Sequence, residues 1–146
     1  VIDFSSAERN RFLQAYIDLH LQSKNKTCSH NELQSAATCC LKGCQEHFWA
    51  AVVRFAQKHA NINPDDAKAF KRTIFVLLAL DRVQDLRKAV SVIYGCFPGC
   101  RTWLDWWLNN AQAHMLFKAV TDMPPGTWDI APHTTNVQES HHQYLF

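Results

Sequence analysis

The residues with most to offer chemically occupy the last thirteen positions, Thr134-Thr135-Asn136-Val137-Gln138-Glu139-Ser140-His141-His142-Gln143-Tyr144-Leu145-Phe146. Their pattern is T-T-N-x-x-E-x-x-H. Thr135 and Asn136 are residues that start helices, because their side-chain oxygens accept the backbone N–H groups a helix start leaves over. The i, i+3 spacing then sets Glu139 and His142 on one helix face. A carboxylate beside an imidazole at a helix start can present an acid to a metal ion or a phosphodiester. The same residues also spell a capping box, with Asn136 as N-cap and Glu139 at the third helical position, and that arrangement needs no chemistry. Local sequence leaves both readings standing.

A second group is built on cysteine. Cys40, Cys44 and His47 recur at helical spacing and would offer a zinc ion ligands on one face, although no C-x-x-C pair accompanies them. The chain has six cysteines, Cys28, Cys39, Cys40, Cys44, Cys96 and Cys100. Their even number, with the sequon Asn25-Lys26-Thr27, also permits a secreted, disulfide-stapled protein. Adjacent Cys39 and Cys40 point apart on a helix and cannot pair with each other. Buried thiols acting as small hydrophobes are the third fate open to them.

The elements that must position these residues are helical. At 146 residues and 47% hydrophobic, the chain is long and apolar enough for one domain with a sizeable core, which excludes a disordered segment. With Gly 4 and Pro 5 there are too few turn residues for a sandwich of strands. A formal charge of +2 is low for a nucleic-acid domain. No apolar run reaches the length of a membrane span, and no signal or transit peptide is recognisable. The opening at Val1 rather than Met points to a fragment or processed product.

Ser5 or Ser6 caps a first helix carrying Phe12, Leu13, Tyr16, Ile17, Leu19 and Leu21, closed by the polar stretch from Ser23 to Thr27. Ser29 and Glu32 form a capping box for a second helix through Leu33, Ala37, Cys40 and Leu41. Its pattern continues past Gly43, read as a kink or close packing contact, to Cys44, His47, Phe48, Val52 and Phe55. Asn63-Pro64-Asp65-Asp66 opens a helix with Phe70, Ile74, Leu77 and Leu78. Asp81 is the expected cap of the next, with Val83, Leu86, Val90 and Ile93, ending at Gly95. A tryptophan-rich helix spans about Arg101 to Lys118. Pro124-Pro125-Gly126 then begins an extended stretch through Ile130 and Pro132. The expectation is an all-α single domain of five to six helices with little or no sheet. Its parts are an insertion-like region over about 1–118, a linker over 119–133 and a terminal helix over 134–146. Trp103, Trp106 and Trp107 could stack on bases. No lysine or arginine lies between Arg101 and Lys118, so a core or interface role is the expectation. His114, on the same helix, reads as a core histidine.

Two separated signatures carry a resemblance. Leu41-Lys42-Gly43-Cys44-Gln45-Glu46-His47-Phe48 contains C-x-x-H, and Pro132-His133 leads into T-T-N-x-x-E. In this order, with W-L-x-W-W (Trp103 to Trp107) between them, they resemble the later part of Mutator-like transposases, in particular a fungal transposon-derived subgroup. The resemblance covers the chain from about Ile2 to Phe146. It implies that Glu139 is the third acid of a ribonuclease-H-like DDE site and that Thr135, Asn136 and His142 support it. It also implies a Mg or Mn requirement for that site, a DNA partner and a nuclear location.

The first two acids of such a site lie on strands, whereas Asp3 and Asp18 fall in or beside a helical pattern. Two-metal chemistry needs several carboxylates converging on ions about 4 Å apart, and a single glutamate cannot hold them. The expected role is therefore a DNA-associated or dimerising helical fragment, without cofactor in isolation, whose partners are DNA, another copy of the chain, or the upstream catalytic core that alone could complete the site. A secreted disulfide-stabilised effector-like protein and a small zinc-stabilised interaction module are the alternatives.

Overall fold

The computed structural model describes residues 1–2, 4–22, 28–58 and 64–134. Among them the chain is all-α. Eight α-helices follow in order: α1 (Ser6–Gln22), α2 (His30–Thr38), α3 (Gln45–Lys58), α4 (Pro64–Val76), α5 (Val83–Cys96), α6 (Arg101–Leu108), α7 (Asn110–Leu116) and α8 (Thr127–Ile130). Short 3-10 turns at Leu77–Ala79, Pro98–Cys100 and Lys118–Val120 bend the chain between them. Among the described residues, β pairing is confined to one isolated parallel bridge between Ile2 and Gly43.

The chain gathers into two compact units, Val1–Cys44 with Asp122–Phe146, and Gln45–Thr121. In the first unit α1 packs on α2 through Ile17, Leu33 and Ala37, and Ile2, Leu41, Cys44, Met123 and Trp128 complete the buried set. The expected capping box is present: Ser29 Oγ accepts from Glu32 N–H, and the Glu32 carboxylate accepts from Ser29 N–H at 2.7 Å. Those bonds hold the Glu32 carboxyl below its usual range, the backbone bond most strongly.

The second unit is built on aromatic rings. Phe48 meets Trp107 edge-on at 4.8 Å and Phe117 edge-on at 5.8 Å, while Phe55 stacks on Trp103 at 4.8 Å. Phe70 joins Phe97 and Trp103 in the same cluster. Trp107 is buried and Trp103 half-buried in this cluster, in keeping with the core or interface role expected of them, while Trp106 keeps 48% of its surface exposed. His114 is half-buried on α7.

Four local expectations are revised. The helix read from Ser29 through Phe55 is two helices, because the backbone at 42–44 pairs with Ile2 instead of with its own preceding turn. Ile2 N–H donates to Lys42 C=O at 2.9 Å and Cys44 N–H to Ile2 C=O at 2.8 Å. Gly43 marks a close approach, as its sequence context indicated, since a Cβ there would stand 2.4 Å from the Phe4 ring. Asp81 does not cap α5. It pairs with Lys118 at 2.8 Å, and Arg82 occupies the cap position with its guanidinium on Asp85.

The tryptophan-rich helix is divided at Asn109, whose side chain accepts from Ala111 and Gln112 N–H and so starts α7 afresh. The stretch expected to be extended contains α8, entered through Gly126 at φ 81°, a left-handed conformation glycine adopts without strain. These breaks raise the expected five to six helices to eight among the described residues. The sequon at Asn25 and the proposed cap Asn63 lie outside the described residues.

Candidate functional site

The first unit brings the two signature segments into contact. Lys42 lies in the break between α2 and α3 and is only 1% exposed. Its ammonium donates to the carbonyls of Trp128 at 2.7 Å and Ala131 at 2.9 Å. It also stands 4.5 Å from the centroid of the Trp128 ring. The last carbonyls of a helix have no partner within it, so a cation at the end of α8 both satisfies them and lies at the negative end of the peptide dipoles. A buried ammonium needs such partners, because an unpaired charge in a low-dielectric interior is strongly disfavoured. Lys42 thereby ties the start of the C-x-x-H segment to residues almost 90 positions later.

Next along the chain, the Cys44 thiol is fully buried and donates weakly to the Thr134 hydroxyl at 3.9 Å. Thr134 is the first residue of T-T-N-x-x-E. His133, between these anchors, is held below the ordinary histidine range, first by desolvation and then by the Lys42 charge, with Asp129 pulling the other way. The junction thus gathers an ammonium, a thiol, a hydroxyl and an imidazole that takes up a proton less readily than usual. That set can position a segment; it has no pair of carboxylates with which to hold two metal ions. Thr135, Asn136, Glu139 and His142 lie outside the described residues.

The cysteine–histidine set is not brought together. Cys40 is exposed, with its thiol on the Ala36 carbonyl at 3.3 Å, Cys44 is buried, and His47 lies on an exposed face of α3. Among the described residues no group of three or more histidine, cysteine or acidic side chains could hold a metal ion. All six cysteines are thiols. Burial pushes the Cys100 thiol up to about 11, which suits the reading of buried cysteines as small hydrophobes.

The second unit carries the charge. Residues 45–121 hold ten lysines and arginines against six acidic residues, a surplus of four positive charges. The remainder holds five against seven, a deficit of two, and the two figures recover the net +2 of the chain. On this unit Arg101 lies 4.4 Å from the Tyr94 ring, and the Tyr94 hydroxyl donates to Asp105. Burial and that bond raise Tyr94 well above its usual range and keep it protonated. Arg87, Ser91, Tyr94 and Arg101 line an open groove of about 480 Å³.

Lys42, Trp128 and His133 did not stand out in the sequence. The one available signal was a lysine set between Leu41 and Cys44, where every neighbour is apolar or small. No protein-family model, curated protein or solved structure matches this chain.

Proposed function

We propose that this chain is a transposase-derived helical module that associates with DNA and carries the third acid of a DDE site without the other two. Glu139 then acts only when a ribonuclease-H-like core is supplied by another chain, and Mg or Mn would belong to that completed site. The observation that carries the reading is the junction of Lys42, Cys44, Trp128, Ala131 and Thr134. It ties the first of the two segments to the residues that lead into the second, through the buried ammonium at 2.7 and 2.9 Å, and to the second segment itself through the thiol on Thr134 at 3.9 Å. A nuclear location follows from the same resemblance. DNA association falls to the Gln45–Thr121 unit, where the positive surplus lies.

The test is binding of a fluorescent duplex, followed by anisotropy across salt concentrations. A surplus of four charges implies about four phosphate contacts, a slope of about −3.6 in log affinity against log salt, and a loss of about a hundredfold between roughly 50 and 200 mM salt. Failure to bind duplex at the lowest salt would overturn the DNA reading.

A further inference from the structure

In the sequence, the tryptophans of α6 are separated from any cationic track. The fold supplies one from another helix. Within the Gln45–Thr121 unit, Arg54 and Lys58 lie one turn apart on exposed positions of α3. Together with Ala51, Phe55 and Trp103 they line an open groove of about 290 Å³. Trp103 is half-buried and stacks on Phe55 with the ring planes 30° from parallel, so the aromatic wall is fixed by the core behind it. Ala51 contributes only a methyl group and leaves the groove open. Neither Arg54 nor Lys58 is in an ion pair among the described residues.

We propose that this groove binds an unpaired nucleotide of single-stranded DNA, its base against Trp103 and its phosphate against Arg54 and Lys58. The inference deepens the DNA-association reading and rests on it. Like charges one turn apart on a helix repel each other, and a phosphate placed between them relieves that repulsion. Aromatic walls bind any base through its π-face, so the recognition is tolerant of sequence. At about 290 Å³ the groove is at the small end of ligand pockets, a size that suits one nucleotide. A base inside a duplex has both faces covered by its neighbours, so this groove favours single strands or frayed ends.

The experiment compares binding of a fluorescent oligothymidylate of about ten nucleotides with a blunt duplex of the same length, by anisotropy on the full chain. Arg54→Ala/Lys58→Ala alters exposed positions alone, while Trp103→Leu removes the π-face and keeps apolar volume in the core; circular dichroism verifies that both remain folded. The wild type is expected to favour the single strand. Both variants are expected to lose about tenfold in single-strand affinity, since stacking and the paired cations each contribute on that scale. The double variant should lose less than about threefold for duplex, where its two charges are a minority of the positive surface. Single-strand binding unchanged in both variants would overturn the groove while leaving duplex association intact. Failure of the wild type to bind either form would overturn both.

Discussion

Lys42 is the residue on which the junction turns. Replacing it with methionine keeps most of the packing but leaves the Trp128 and Ala131 carbonyls without their shared donor. Hydrogen bonds from a charged group contribute about 1.5–3 kcal/mol each, and a buried carbonyl left without a donor costs about 1–3 kcal/mol. Lys42→Met is therefore expected to lower stability by about 2–4 kcal/mol in urea denaturation, and a loss below about 0.5 kcal/mol would contradict the anchoring role. His133 gives the same junction a pH dependence. Its folded value is depressed, so the folded chain binds fewer protons than the unfolded chain around the ordinary imidazole range. The stability it contributes is fully present above that range and is lost as pH falls through the lower folded value. Urea midpoints should fall more between pH 7.5 and pH 5.5 for the wild type than for His133→Asn. An identical fall in both would remove His133 from the account. The thiols offer a further check. Exposed Cys28, Cys40 and Cys96 should react with a maleimide before buried Cys44 and Cys100, and mass analysis without reductant should find no disulfide. Three intact disulfides would favour the secreted reading.

At the scale of elements, two positions decide where helices stop. Gly43 sits under the Phe4 ring, so Gly43→Ala must displace that ring and is expected to cost about 1–3 kcal/mol. Shortening the ring with Phe4→Leu in the same chain should recover part of that loss, a coupling that a double-mutant cycle reads directly. Asn109→Ala removes the side-chain acceptor that starts α7 and should cost about 1 kcal/mol. These two residues also explain which boundaries could be read from the sequence. The helical class, the capping box at Ser29 and Glu32, and the start of α4 at Pro64 follow from local periodicity and cap chemistry, which act within a few residues. The break at Lys42 to Cys44 does not, because it is set by pairing with Ile2, some forty positions away. Asn109 carries a cap signal, but apolar residues at helical spacing before it (Leu104, Trp107, Leu108) and after it (Met115, Leu116) conceal the break. Asp81 was a reasonable cap whose carboxylate is engaged by Lys118 from a distant turn.

For the whole molecule, the chain is a helical assembly whose charge is divided unevenly, positive over residues 45–121 and negative over the rest. That division was present in the sequence but had no meaning until the units were known, since net charge alone averages it away. The candidate site was legible in part: Cys44 and Thr134 belong to the motifs that drew attention, whereas Lys42 and Trp128 are joined only by the fold. The lack of basic residues along the tryptophan-rich stretch pointed Trp103 to a core or interface role, yet the basic residues beside it come from α3 and could not be paired with it by periodicity. The proposed function comes down to DNA association without a complete catalytic site in this chain. The most direct measurement is incubation of the full chain with labelled duplex ends in magnesium or manganese, alongside Glu139→Ala. The expected result is retained binding, no cleavage and no difference between the two proteins. Cleavage by the wild type that disappears in Glu139→Ala would show a complete active site in this chain or its assemblies, and would contradict the claim.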